Sequence, residues 1–342
     1  MMQTNKFKVL ILTDHSGHSS ENSLYPLAAA MLAHKEVEAV DVASRANSNN
    51  VSFFNMAFDS QLSVTRVNSD FSYAVENHPL DNNHLLVDKN DYNFIWLRLP
   101  PPLPEKFLQF IELFFADKVI LNNPKGIFKT GSKEFLLNFR DVCPPIKLCH
   151  SIQDIVTFSE SFPIVLKPLR EYGGSGIIKI DGENSSMGNE EVSTIEILDL
   201  LNQQKVHFLA MKYLKNVSMG DKRIIVVNGK IMGASLRTPK PGSWICNVSM
   251  GGKSNLAEVE PEEIEIVKKI NPLLSENGIV MYGVDTLMDD HGKRVLSEIN
   301  TASIGGLPQI AKLSDKPLVE EAIELILSFA KTKMQNERNQ YH

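Results

Sequence analysis

Residues 279–300 read IVMYGVDTLMDDHGKRVLSEIN, and how this stretch folds decides what the rest of the chain can be. Residues 279–288 and 294–300 are apolar, strand-like runs that meet around His291 and Gly292, which reads as an antiparallel hairpin. A turn centred on those two residues sets Asp285 directly opposite Glu298, with Asn300 two residues further along the same face. Facing carboxylates destabilise a sheet unless something compensates them. The oxygen-only set Asp285, Glu298 and Asn300 suits Mg²⁺, which completes its shell with water and phosphate oxygens. The bland alternative is a solvated strand face, but the apolar neighbours Val284, Leu287 and Ile299 speak against full exposure.

Upstream, residues 220–237 read GDKRIIVVNGKIMGASLR, where Asn228-Gly229 between apolar runs signals a second hairpin. Asp221, Lys222 and Arg223 then start one strand and Arg237 ends its partner, gathering cations suited to a transferring phosphoryl group or an oxyanion. An edge hairpin with charged ends has the same pattern. A regular register puts Arg223 and Arg237 on opposite faces, so a shared site requires a bulge or a bend. Further back, a strand over 164–167 runs into KPLREYGGSG, whose Gly173, Gly174 and Gly176 let backbone amides approach phosphate oxygens while Lys167 adds charge. An ordinary glycine loop looks similar, and the stretch is neither a Walker loop nor GxGxxG. A helix is expected over 133–140.

The N-terminal third opens as βαβ. A strand is expected over 9–13, a helix over 24–33 with Ser23 as its N-cap, and a strand over 37–42. Residues 47–92 are polar and irregular and receive no assignment. A strand over 94–98 stops at Pro100, Pro101 and Pro102, placing Arg98 at a strand end, where open α/β sheets often take ligands; a surface arginine beside prolines reads equally well.

The chain has 342 residues, 43% of them apolar and 22% charged, which suits two or three globular units of α/β (α+β) class. A net charge of -6 without basic runs argues against nucleic acid. No apolar run reaches the roughly 18 residues that span a bilayer, and MMQTNKFKVLILTD leads straight into a strand. Cys143, Cys149 and Cys246 form no CxxC, which fits a reducing, cytoplasmic setting. Cys149-His150 reads better as a buried thiol beside a loop histidine than as a metal pair.

Taken in order, VLKPLREYGGSG, GDKRIIVVNGK, the following LR, NVSMGG, YGVDTLMDD and SEIN resemble the ATP-grasp domain of bacterial glutathione synthetase, over roughly residues 122–313. A weaker likeness in the N-terminal part includes WLRLPPP. The resemblance implies an ATP-grasp fold behind an N-terminal parallel α/β domain, with units at 1–121, 122–206 and 207–342. It implies that Lys133, Lys167, Gly173, Gly174, Ser175 and Asp221 contact ATP, and that Met211, Lys212, Tyr213 and Leu214 line the adenine pocket at a hinge. It assigns Asp285, Glu298 and Asn300 to Mg²⁺ or Mn²⁺, and Arg223 and Arg237 to catalysis. Arg98, Asn247, Gly251 and Gly252 fall to the substrate side, the last three on a loop that closes over the site.

The implied activity is an ATP-dependent carboxylate–amine ligase working through an acylphosphate, with γ-glutamylcysteine and glycine as leading substrates. A homo-oligomer is implied by analogy. Two departures bear on the substrate: TASIGGLPQIA follows SEIN where the family has a VTSPT-like segment, and TPKPGSWIC lacks the arginine usual before Asn247. Other ATP-grasp amino-acid or peptide ligases, and a non-catalytic nucleotide-binding module, are the alternatives; the module would be expected to lack the metal ligands.

Overall fold

The structure, a computed structural model, describes residues 6–82, 84–204, 206–240, 244 and 253–340. Three sheets organise it. The first holds β1 (Phe7–Thr13), β2 (Val37–Ser44), β3 (Leu62–Arg66), β4 (His84–Val87), β5 (Phe94–Leu97) and β6 (Val119–Leu121), in the order β4-β3-β2-β1-β5-β6. β1 runs parallel to β2 and β5, and β5 to β6, whereas β3 and β4 pair antiparallel at the edge. Helices α1 (Leu24–Ala33), α2 (Val51–Phe54) and α3 (Glu105–Phe114) accompany it. The expected βαβ opening is present. Within 47–92, β3, β4 and α2 are only 5, 4 and 4 residues long, too short to leave a periodic signal.

The expected capping by Ser23 is not what forms. Ser23 sits in helical geometry with no capping bond, and Leu24 N–H instead donates to Asn22 Oδ1 at 2.9 Å. The Ser23 hydroxyl accepts from Arg98 at 2.6 Å and donates to the Ile304 carbonyl at 3.4 Å. Satisfying a buried guanidinium has taken precedence over the helix end.

Next come α4 (Pro124–Thr130) and a 3₁₀ helix, Lys133–Phe139, tighter than the expected helix there. The second sheet comprises β7 (Ile146–Cys149), β8 (Ile164–Pro168), β9 (Ile178–Ile180), β10 (Ser186–Met187), β11 (Glu190–Glu191) and β12 (Phe208–Lys212), ordered β11-β10-β9-β8-β12-β7. β12 lies beyond residue 206 yet pairs with β7 and β8. The amphipathic helices α5 (Ile152–Ser159) and α6 (Thr194–Asn202) start at capping boxes built on Ser151 and Ser193, and their apolar stripes cover this sheet through Ile155, Ile197 and Leu201.

The third sheet holds β13 (Asp221–Val227), β14 (Lys230–Thr238), β15 (Lys253–Ala257), β16 (Met281–Met288) and β17 (Arg294–Asn300), in the order β15-β14-β13-β16-β17. α7 (Pro261–Glu276) lies against one face through a buried polar cluster: Lys222 donates to Glu260 and Glu263 at 2.8 Å, and Thr286 to Glu263 at 2.5 Å. Each charge there is paired, as burial demands. α8 (Leu307–Ser314) and α9 (Leu318–Gln340) complete the chain. The first and third sheets share a core in which Val9, Ile11 and Trp96 meet Ile225, Met281, Ile323 and Leu327. Asn122 fastens the same junction, donating to the Met281 and Thr301 carbonyls at 2.6 and 2.8 Å and accepting from Val280 and Met281 N–H. Among the described residues no helix is long and apolar enough to cross a membrane.

Candidate active site between the second and third sheets

Two bulges assemble the floor of the site. In the first hairpin Asn228 and Gly229 both take positive φ, +48° and +78°, the geometry of a tight hairpin turn. Pairing runs Val227 with Lys230 and Val226 with Ile231, then skips Met232 to join Ile225 with Gly233. Past that bulge Arg223 faces Ser235 and Asp221 faces Arg237, so both arginines stand on one face. The required irregularity is therefore present, between Ile225 and Val226.

The second hairpin reaches the expected pairing by another route. Its turn closes with Asp289 N–H donating to the Lys293 carbonyl at 2.8 Å and pairs Met288 with Arg294, one residue out of the register needed to match Asp285 with Glu298. Ser297 is the extra residue that corrects it, after which Asp285 faces Glu298, and Gly283 faces Asn300. The bulged residue also anchors a lysine of the facing sheet, because Lys167 donates to the Ser297 hydroxyl at 3.0 Å and to its carbonyl at 3.2 Å.

Across β13 and β16, Arg223 pairs with Asp285. Its Nε and terminal nitrogen donate to the two carboxylate oxygens at 2.6 and 2.5 Å. Arg237 is 3.0 Å from the same carboxylate, Asn300 Nδ2 donates to it at 3.1 Å, and Arg237 also clasps Asp221, with one bond of 2.8 Å. The like charges of Asp285 and Glu298 are thus compensated by guanidinium groups rather than requiring an ion for that purpose. Burial alone would raise the Asp285 carboxyl, but Arg223 and Arg237 outweigh it and hold the group well below the usual carboxylate range. Asp221 is pushed up by burial, with Arg237 opposing.

Glu298 is only paired with Lys133, at 3.7 Å, among the described ion pairs. Lys133 also donates to the Glu171 carbonyl and stands 5.2 Å from the centre of the Tyr172 ring. Lys167 is buried, which lowers its affinity for a proton, with the Glu298 charge acting against that. The oxygen donors of Asp285, Glu298 and Asn300 are of the kind Mg²⁺ takes, and here both Asp285 oxygens are engaged by Arg223.

Facing this floor, the second sheet contributes the roof of a cleft. Gly173 and Gly174 line it, and with Gly176 they hold positive φ of +69°, +81° and +66°, a conformation that favours glycine. Met211, Lys212, Tyr213 and Leu214 follow β12 along the wall, with Val165, Ile177, Val217 and Leu287 supplying apolar surface. Lys212 is drawn to Asp290 at 2.7 Å. Ser175 lies instead in an adjoining recess with Lys133, Tyr172 and Glu298. An apolar slot beside clustered cations and carboxylates can seat a flat base with its phosphates over the charged floor.

Arg98 does not line the cleft. It is buried at the end of β5, its guanidinium held by Ser23 and its carbonyl by Thr13 and Ser303 hydroxyls at 3.3 and 3.1 Å. Burial lowers it to about 10, and among the described residues its Nε has no hydrogen-bond partner. Asn247, Gly251 and Gly252 lie outside the described residues. Cys149 is buried with its thiol pushed up to about 11, and the exposed His150 turns toward His207.

Six lining residues were missed by sequence reasoning: the apolar Val165, Ile177, Val217 and Leu287, and with them Trp244 and Ser297. Trp244, 6.1 Å from the Tyr213 ring and donating to the Gly188 carbonyl at 3.0 Å, is one of only two tryptophans, a signal that was there to use. Ser297 gave none, because its role depends on the bulge.

Residues 132–315 match the family model described as prokaryotic glutathione synthetase, ATP-grasp domain. The glutathione synthetase of Prochlorococcus marinus (strain MIT 9313) is 30% identical over 243 residues, 69% of this chain and 75% of that protein. That of Brucella melitensis biotype 1 is 30% identical over 230 residues, 66% and 70% of the two chains. Among solved structures, D-cycloserine synthetase DcsG aligns over 94% of this chain and 100% of its own, with TM-score 0.64 and 11% identity. D-alanine–D-alanine ligase from Bacillus anthracis complexed with ATP aligns over 96% and 99%, with TM-score 0.56 and 15% identity. At such identities the structures speak to the fold alone.

Proposed function

Because the chain belongs to the prokaryotic glutathione synthetase family of the ATP-grasp superfamily, and so is an ATP-dependent ligase that forms an amide bond, we propose that it joins γ-glutamylcysteine to glycine. The observation that carries this reading is the facing Asp285–Glu298 pair with Asn300, flanked on one sheet face by Arg223 and Arg237 and roofed by Lys167 and the Gly173–Gly174 turn.

A carboxylate is a poor electrophile, and the residues divide the work of changing that. Met211, Tyr213 and Leu214 hold the adenine, Lys212 and Asp221 border it, and Lys133, Lys167, Gly173, Gly174 and Ser175 hold the phosphates. Asp285, Glu298 and Asn300 would hold Mg²⁺ (or Mn²⁺), which supplies charge neutralisation at the phosphates. The cysteinyl carboxylate oxygen attacks the γ-phosphorus and ADP leaves. The glycine amine then attacks the acyl carbon, loses a proton, and phosphate departs. Arg237 and Arg223, released from Asp285, receive the transferring phosphoryl group and the developing oxyanion. Water must be kept from the intermediate, since an acylphosphate that meets water before the amine is hydrolysed.

We place the working units at 1–121, 122–212 and 213–342, moving the expected boundary at 206 because β12 joins the second sheet, in a cytoplasmic homo-oligomer. The acylphosphate is tested with γ-glutamylcysteine carrying ¹⁸O in its cysteinyl carboxylate. One label should appear in the phosphate released per turnover; unlabelled phosphate would rule the route out.

A further inference from the structure

Away from the cleft, the loop after β1 and the turn before β4 bring three potential ligands together. His15 stands just past β1, while His78 and Asp81 are the two ends of one 3₁₀ turn. One donor atom from each lies within 4.8 Å of the others. We propose that His15, His78 and Asp81 form a binding site for a divalent transition ion, Zn²⁺ by its donors, that fastens this turn to the loop after β1.

The donor chemistry sets this cluster apart from the floor of the cleft. Two imidazoles and one carboxylate suit Zn²⁺, Cu²⁺ or Ni²⁺, whereas Mg²⁺ prefers oxygen. His15 Nε2 is 2.9 Å from Asp81 Oδ1. Two ligands on a tetrahedral ion, each at about 2.0–2.2 Å, stand roughly 3.4 Å apart, so this pair opens by only about half an ångström to admit one.

The rear nitrogens are already held, which is what metal-binding histidines require. His15 Nδ1 is 2.6 Å from the Ser44 hydroxyl. His78 Nε2 is 2.8 Å from the Tyr25 hydroxyl, itself 2.9 Å from His18 Nδ1. That leaves His15 Nε2 and His78 Nδ1 as donors; the latter now accepts a bond of 3.2 Å from Leu80 N–H, which the ion replaces. The two rings are stacked, 4.9 Å apart and 15° from parallel, so convergence on one ion turns a ring about its broad terminal torsion. Asp81, with its side chain 59% exposed, opens the route from solvent. The residual fourth position falls to water.

The test uses the full chain, stripped with a chelator and titrated calorimetrically with ZnCl₂ alone, with Co²⁺ absorption as a report of tetrahedral coordination. One Zn²⁺ per chain is expected. Asp81→Asn, at an exposed position that leaves the fold intact, and His15→Gln should each weaken binding at least tenfold, and Ser44→Ala by about 10–100-fold through its hold on His15. His150→Gln, which removes the other histidine pair, should leave binding unchanged. Equal binding by Asp81→Asn and His15→Gln, loss in His150→Gln instead, or no uptake by the wild-type chain would overturn the proposal. None of these readouts needs ATP or the ligase reaction.

Discussion

Replacing Asp285 by alanine should cost the fold as well as the reaction. The residue is 4% exposed, and its side chain accepts two bonds from Arg223, at 2.6 and 2.5 Å, and one from Asn300 at 3.1 Å, and forms an ion pair with Arg237 at 3.0 Å. Among the described residues, its removal leaves Arg223 without a carboxylate partner and Arg237 with Asp221 alone. Breaking a buried pair from one side costs about 3–5 kcal/mol, because the remaining charge is stranded. Relief of repulsion with Glu298 offsets little of this, since the arginines already neutralise it. We expect Asp285→Ala to lose about 3 kcal/mol or more in denaturant unfolding, and Asp285→Ala with Arg223→Met to recover a good part of that, the coupling a double-mutant cycle measures. The effect also has a pH sign. Asp285 titrates below its unfolded value of about 3.9, so its contribution is full above that value and disappears as pH falls through the folded one. The wild-type advantage over the mutant should therefore shrink below about pH 4. An unfolding free energy within about 1 kcal/mol of wild type at pH 7 would refute the reasoning.

Arg237→Ala should lower kcat by roughly a hundredfold or more with little change in ATP affinity, and Arg237→Lys should not rescue it fully, because the planar fork is lost; steady-state kinetics after a circular-dichroism check of folding decides this. Lys167→Ala should weaken nucleotide binding by calorimetry. Because burial lowers Lys167 from its ordinary 10.5 and phosphates favour its protonated form, wild-type affinity should fall as pH rises through that lowered value, a slope the alanine variant lacks. Gly233→Ala should cost about 1–3 kcal/mol, since φ there is +153° and the added Cβ would stand 2.7 Å from Ile310 Cγ2; an unchanged unfolding midpoint would contradict the bulge packing.

Local chemistry was legible where it acts over a few residues. Asn228-Gly229 announced its hairpin, and the apolar runs on either side of His291-Gly292 announced theirs, because turn residues and apolar strand runs are written directly in sequence. The bulges were not. That Arg223 and Arg237 needed one followed from parity, but its place at Met232 depends on a glycine whose neighbour, Ile310, is distant in the chain. The Asp285–Glu298 match was reached through a turn centred one position off, and Ser297 absorbs the difference. Ser23 shows the same limit: its type favours a cap, and the buried Arg98 claims its hydroxyl instead. Compensation of the facing carboxylates by arginines from β13 and β14 likewise required knowing that β13 lies beside β16. Residues 47–92 stayed unread because elements of four or five residues carry no period of their own.

The central claim is that ATP cleavage here serves amide formation between γ-glutamylcysteine and glycine. Full-length protein incubated with ATP, Mg²⁺ and both substrates, followed by mass spectrometry of the products, tests it most directly. The account predicts one glutathione for each ADP, with release dependent on both substrates. ADP release without an amide product, or an amide formed only with another carboxylate or amine, would contradict it.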